Sequence, residues 1–126
     1  MIGVAPPIRV LLVEDSDVYR ESLAFLLRRH EDVDVVSAAA DGRSGLEAFA
    51  SLAPDVVVLD YRLPDIDGAE VAAGLRGLRS DVAVVFLSAS AGEDEYDAAA
   101  TAGAPLVRKD DGIEALVVAV RAAAGR

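Results

Sequence analysis

The chain contains no cysteine, which excludes disulfides and thiolate metal sites and fits a reducing cytoplasm. It has one lysine, Lys109; every other base is arginine. Its longest apolar runs, such as VAVVFL at 82–87, are far too short to span a bilayer, so no membrane segment is expected. MIGVAPPI at 1–8 has neither the basic start nor the apolar stretch of a signal peptide. Positive charge is scarce: 12 bases face 22 acids, a net charge of −10. Such a chain repels nucleic-acid phosphates and anionic membranes, so it is not expected to bind DNA itself. The acid excess suits a cation site, a basic partner or plain solubility. Apolar residues are abundant, at 53% of the 126 residues. That is enough for a real core, and the length fits a single domain over 1–126.

Two periodicities alternate from end to end. IRVLLV (8–13), VDVVSA (33–38), DVVVLD (55–60), DVAVVFL (81–87) and PLVR (105–108) read as strands. Between them run helical patterns. The first, from Asp17 to His30, places Tyr19, Leu23, Leu26 and Leu27 on one face. The second begins near Ser44, with Leu46, Phe49 and Leu52 inward, and the third, Gly68 to Leu78, turns Val71, Ala72, Leu75 and Leu78 inward. A weaker fourth covers Glu93 to Ala102 and stops at Gly103, a favourable C-terminal cap. The fifth carries Ile113, Leu116, Val117, Val120 and Ala124 on one stripe. Five successive βα units predict an α/β fold with a parallel sheet covered on both faces, which is why the strands are continuously apolar. The expected architecture is a flavodoxin-like (βα)5 three-layer sandwich of strand order 2-1-3-4-5, with its site at the C-terminal strand ends.

Those strand ends carry a distinctive set of side chains. Strand 1 ends in Glu14-Asp15, strand 3 in Asp60, strand 4 in Ser88 and strand 5 in Arg108-Lys109. Taken singly, each has an ordinary explanation: a cap on helix 1 for Glu14-Asp15, a turn residue for Asp60, a solvated surface group for Lys109. Ser90 is a rival to Ser88. Together they place three carboxylates, a hydroxyl and the single ammonium side chain at one sheet edge. Carboxylates so gathered repel one another, and a cation relieves the strain. All-oxygen ligands with room for water suit Mg²⁺. Asp can also act as a covalent nucleophile in phosphoryl transfer, a reaction governed by positioning and charge neutralisation. Asp65 and Asp67 read as loop and N-cap residues of helix 3, with Gly68 permitting the turn. The acids Glu93, Asp94, Glu95 and Asp97 read as favourable charges at a helix N-terminus.

VLLVEDSDVYR (10–20), VVVLDYRLPDIDG (56–68), FLSA (86–89) and AGAPLVRKD (102–110) together resemble the receiver domain of two-component response regulators over nearly the whole chain. The ending KDDGIEALVVAVRAAAGR is most similar to the NarL/LuxR-type subgroup. The resemblance implies that Asp60 is the phosphoacceptor and that Asp15 ligates Mg²⁺ directly. It implies that Glu14 acts mainly through water and that the backbone carbonyl of Arg62 completes the protein ligands. Ser88 would be the switch hydroxyl, and Lys109 would pair with the phosphoryl group. The domain would be a phosphoacceptor rather than an enzyme acting on other molecules. The donor would be a sensor histidine kinase, helices 1 and 5 would support a homodimer, and DNA would be reached only through an output domain that these residues do not include. Phosphorylation would reorganise helix 4 and control transcription through that output.

One position departs from the family pattern. Where an aromatic ring usually stands three residues before the lysine and turns inward on activation, this chain has Leu106. That residue motivates an alternative: a receiver-like interaction module that works without phosphorylation. A phosphatase of the haloacid-dehalogenase kind would need a second Asp two residues beyond Asp60, where Arg62 stands. A flavin role lacks a phosphate-binding loop after strand 1.

Overall fold

The computed structural model describes residues 5–89 and 92–126. Five strands, β1 (Ile8–Val13), β2 (Val33–Ala39), β3 (Val56–Asp60), β4 (Ala83–Ser88) and β5 (Leu106–Arg108), alternate with five helices. These are α1 (Asp17–Arg28), α2 (Gly42–Leu52), α3 (Gly68–Leu78), α4 (Glu93–Ala102) and α5 (Ile113–Ala123). The sheet is parallel throughout, in the order β2-β1-β3-β4-β5, as the pattern of strands and helices predicts. Ser90, the rival hydroxyl, lies outside the described residues.

Side chains alternate across each strand, and the two core layers follow from that alternation. Val10 and Leu12 of β1 face Leu23 and Leu27 of α1 and Leu116, Val117 and Val120 of α5. Leu11 and Val13 face the opposite layer, with Phe49 of α2, Val71 and Leu75 of α3, and Ala99 of α4. Every residue of β3 is buried, because it is central in the sheet and covered on both faces.

Helix α1 ends at Arg28, two residues short of the expected His30, and α2 starts at Gly42, where Asp41 caps it by accepting from Ser44 N. Leu78, expected inward, is 55% exposed. It is the last residue of α3, and helical periodicity specifies a face without specifying where the neighbouring layer stops. Gly103 does adopt the left-handed conformation, φ 63°, that ends α4.

The parallel register aligns the strand ends. Val13 pairs with Leu59, Asp60 with Leu87, and Ser88 with Arg108. Glu14 therefore emerges beside Asp60, and Lys109 leaves the sheet one residue beyond the partner of Ser88. A single 3-10 turn, Lys109–Asp111, starts at the lysine itself.

Candidate phosphoryl and metal site

Glu14 follows β1 directly, and its N–H still donates to the Ala39 carbonyl at 3.0 Å, so the sheet ladder fixes its backbone. Its carboxylate is fully buried. Oε2 accepts from Ser16 N at 3.1 Å, and Oε1 pairs with Lys109 Nζ. Capping of α1 falls to Ser16, whose hydroxyl accepts from Tyr19 N at 3.3 Å. The acid pair is thus free of the capping role that would explain it away. Arg20 braces this turn: its guanidinium donates to the carbonyls of Glu14 at 3.0 Å and Asp15 at 3.5 Å. In the sequence Arg20 carries no signal beyond being a base six residues after the first acid, on the opening turn of a helix.

Asp60 closes β3 and is 4% exposed. Its Oδ1 accepts from Arg62 N at 3.3 Å and its Oδ2 from Lys109 Nζ at 3.4 Å. Lys109 therefore bridges two buried carboxylates, and its ammonium also stands 4.6 Å from the centroid of the Tyr19 ring, a cation–π contact. Ser88 is buried at the end of the adjacent strand, next to the residue that pairs with Asp60. Leu106 is half-buried on β5, in register with Phe86, and packs with the core layer of α2, α3 and α4.

Burial pushes the Asp60 carboxyl up to about 7, and the hydrogen bond and charge of Glu14 push the same way against Lys109 and the Arg62 N–H. Glu14 moves downward: burial opposes ionisation, but the contacts with Lys109 and Asp60 and the Ser16 N–H outweigh it. Lys109 is raised, burial being overcome by the two carboxylates. Of the two buried acids Glu14 is the more readily ionised, and Asp60 keeps its proton to higher pH than an ordinary carboxyl.

Oxygens of Glu14, Asp15 and Asp60 can all lie within 4.8 Å of one another, with Asp15 exposed at the mouth. The donor set is carboxylate oxygen only, and burial together with the Glu14 charge makes Asp60 harder to ionise than an ordinary carboxyl, a cost that a cation offsets. That chemistry fits a hard divalent cation such as Mg²⁺ and not a thiophilic metal. The structure brings Glu14, Asp15, Asp60 and Lys109 together and sets Ser88 at the adjoining strand end. It ties Arg62 to the site through its N–H.

Two acids behave differently from expectation. Asp65 lies in the loop after β3 but serves α2: its carboxylate accepts from Gly42 N at 2.8 Å and Arg43 N at 2.9 Å. Asp67 is the N-cap of α3 as expected, accepting from Glu70 N. Gly68 is required by closeness rather than by a turn, since a Cβ there would fall 2.7 Å from the Cα of Tyr61. Glu95, read as one of several charges at a helix start, is instead buried and ion-paired with Arg62.

Residues 10–121 match the family model described as the response regulator receiver domain. A protein-glutamate methylesterase/protein-glutamine glutaminase of Myxococcus xanthus is 41% identical over 97% of this chain and 38% of its own length. The probable transcriptional regulatory protein NarL of Mycobacterium tuberculosis is 39% identical over 65% of this chain and 38% of its own. The chain thus spans well under two thirds of these relatives. Among solved structures, a LuxR-family two-component response regulator from Aurantimonas superposes with a TM-score of 0.88 at 30% identity, covering 95% of this chain and 87% of that one. The signal receiver domain of the Mycobacterium tuberculosis NarL superposes with a TM-score of 0.84 at 32% identity, covering 97% of this chain and all of that one.

Proposed function

The chain belongs to the response regulator receiver domain family, and from that premise we propose that Asp60 accepts a phosphoryl group from a phosphohistidine on a sensor histidine kinase. Glu14, Asp15, Asp60 and the backbone carbonyl of Arg62 would hold Mg²⁺. When bound, the ion supplies charge neutralisation for the carboxylates and for the incoming phosphoryl oxygens. An Asp60 carboxylate oxygen attacks phosphorus, the P–N bond of the donor breaks, and the imidazole leaves with the electron pair. Lys109, held between Glu14 and the Tyr19 ring, turns its charge to the phosphoryl group. The Ser88 hydroxyl donates to another phosphoryl oxygen. Burial of Asp60 excludes bulk water and strengthens each of these interactions.

The observation that carries this reading is the bridge from Lys109 to both Glu14 and Asp60 at the C-terminal edge of the sheet. It is the arrangement that both neutralises a buried acid pair and can be redirected to an incoming anion. The added charge, roughly two units, shifts a two-state equilibrium in the segments around β4 and α4. The output is transcription regulation, the role named for the NarL relative, exerted through DNA-binding residues outside this chain and in the cytoplasm. A homodimer through α1 and α5 would carry the signal. Incubation with acetyl phosphate and Mg²⁺, read by intact mass, tests the reading. One added phosphoryl group on the natural chain and none on Asp60→Asn are expected. No gain on the natural chain, or an equal gain on the variant, refutes it.

Leu106 favours a second reading, a module that docks partners without phosphorylation, because it has no ring to rotate. That module has no need of Mg²⁺, so millimolar Mg²⁺ binding separates the two.

A further inference from the structure

Glu95 is an outlier among its neighbours. Glu93 and Asp94, beside it in the first turn of α4, are exposed, whereas the Glu95 side chain is 3% exposed. Its Oε1 lies 3.0 Å from a terminal nitrogen of Arg62, and its Oε2 accepts from Gly92 N at 2.9 Å. A Cβ at residue 92 would stand 2.8 Å from that Oε2, so the carboxylate fits against a glycine. The carboxylate is buried while the Arg62 side chain that meets it is 74% exposed, so the pair lies at the edge of the structure, with Glu95 held on the inside by the Gly92 N–H and Arg62 closing it from solvent. The partner's other end is at the phosphorylation site, where Arg62 N donates to Asp60 Oδ1 at 3.3 Å. Residue 62 is thus fastened on one side to the phosphoacceptor and on the other to α4.

We propose that Glu95 is a positioning residue for the phosphorylation site, orienting through the Arg62 guanidinium the peptide that carries the metal-ligand carbonyl and so linking the metal site to α4. This rests on the phosphoacceptor reading of Asp60. It supplies a route from the site to α4 that needs no aromatic residue at position 106. Linkage makes the route reciprocal: whatever settles the Arg62 peptide also settles α4, and an undocked α4 weakens the metal site.

The test is a double-mutant cycle on Mg²⁺ affinity, read by amide NMR titration of the natural chain, Glu95→Gln, Arg62→Gln and the double variant. Gln at 95 can still accept from Gly92 N, so the cap on α4 is kept. Glu95→Gln is expected to weaken Mg²⁺ binding roughly tenfold, the low end for groups that orient a metal ligand. In the Arg62→Gln background the same change is expected to weaken it less than about twofold. Equal losses in both backgrounds mean that Glu95 acts by capping or by long-range charge, and overturn the proposal. So does an unchanged affinity in Glu95→Gln while the natural chain binds Mg²⁺, an outcome that leaves the phosphoacceptor reading intact. A natural chain that does not bind Mg²⁺ overturns both. Should Glu95→Gln fail to fold, hydrogen exchange decides: Mg²⁺ is expected to slow exchange of α4 amides in the natural chain and not in Arg62→Gln. Equal slowing in the two, or none in the natural chain, overturns the proposal.

Discussion

The Lys109 ammonium lies 3.4 Å from Asp60 Oδ2 while it pairs with Glu14 Oε1, so one cation serves two buried carboxylates. Removing it leaves both acids buried without a positive partner. Lys109→Met is therefore expected to lower the stability of the metal-free protein by about 3 kcal/mol, the low end for broken buried pairs because the lysine is 20% exposed. Millimolar Mg²⁺ should recover part of the loss, because the ion supplies the missing charge. Denaturant melts with and without Mg²⁺ check both statements.

The raised pKa of Asp60 sets a pH dependence of defined sign. Its carboxyl moves from an ordinary 3.8 to about 7 in the folded chain. Between those values the native state binds more protons than the unfolded chain, so this residue's contribution to stability falls as pH rises through the window. Asp60→Asn should match the natural chain near pH 4 and exceed it by on the order of 2 kcal/mol at pH 8, since Asn also gives up the contact with Lys109. Parallel melts across this range measure the difference.

The same proton competes with the metal. Binding at Glu14, Asp15 and Asp60 requires Asp60 ionised, so Mg²⁺ affinity should rise with pH up to about 7 and level off above it. Chelation should return the melting temperature to its metal-free value. Calorimetric titration at several pH values checks the slope.

Asp65 predicts a separate acid transition away from the site. Desolvation is the largest single influence and raises its carboxyl, but the N–H groups of Arg43, Gly42 and Ile66 together outweigh it and hold it at about 2, below the ordinary 3.8. A depressed pKa contributes stability above the ordinary value that is lost as pH falls through the depressed one. Asp65→Asn should melt lower than the natural chain at pH 7, and the gap should close between about pH 4 and pH 2. A gap that persists unchanged at pH 2 would show that the cap does not depend on charge.

Gly68 joins the loop after Asp60 to α3 by contact. Its N–H donates to the Tyr61 carbonyl at 2.7 Å, and a Cβ would meet the Tyr61 backbone. Backbone cannot rotate away as a side chain can, so Gly68→Ala should cost about 1–3 kcal/mol. It should also slow phosphorylation, because residue 61 follows Asp60 directly. Melting temperature and the rate of phosphoryl incorporation are the readouts.

What the sequence made legible was whatever is periodic or lies at an element's end. Alternating strand and helix patterns specified the sheet order, and the acids closing β1 and β3 and the lysine after β5 specified the site's edge. What escaped was set by contacts between distant segments. Asp65 caps a helix 22 and 23 residues away in sequence, measured to Arg43 and Gly42. Glu95 looks like any acid at a helix start until Arg62, 33 residues earlier, is placed beside it. Leu78 continues an inward stripe past the point where anything remains to cover it. The bridging of Glu14 by Lys109 likewise depends on the register of four strands, β1, β3, β4 and β5, which no local pattern encodes.

The measurement that bears most directly on the central claim locates the phosphoryl group chemically. The natural chain is treated with acetyl phosphate and Mg²⁺, reduced with borohydride, which converts an aspartyl phosphate to homoserine, and sequenced by tandem mass spectrometry. Homoserine at residue 60 and at no other aspartate is the predicted result. Homoserine at Asp15 or elsewhere, or none at all, would contradict it.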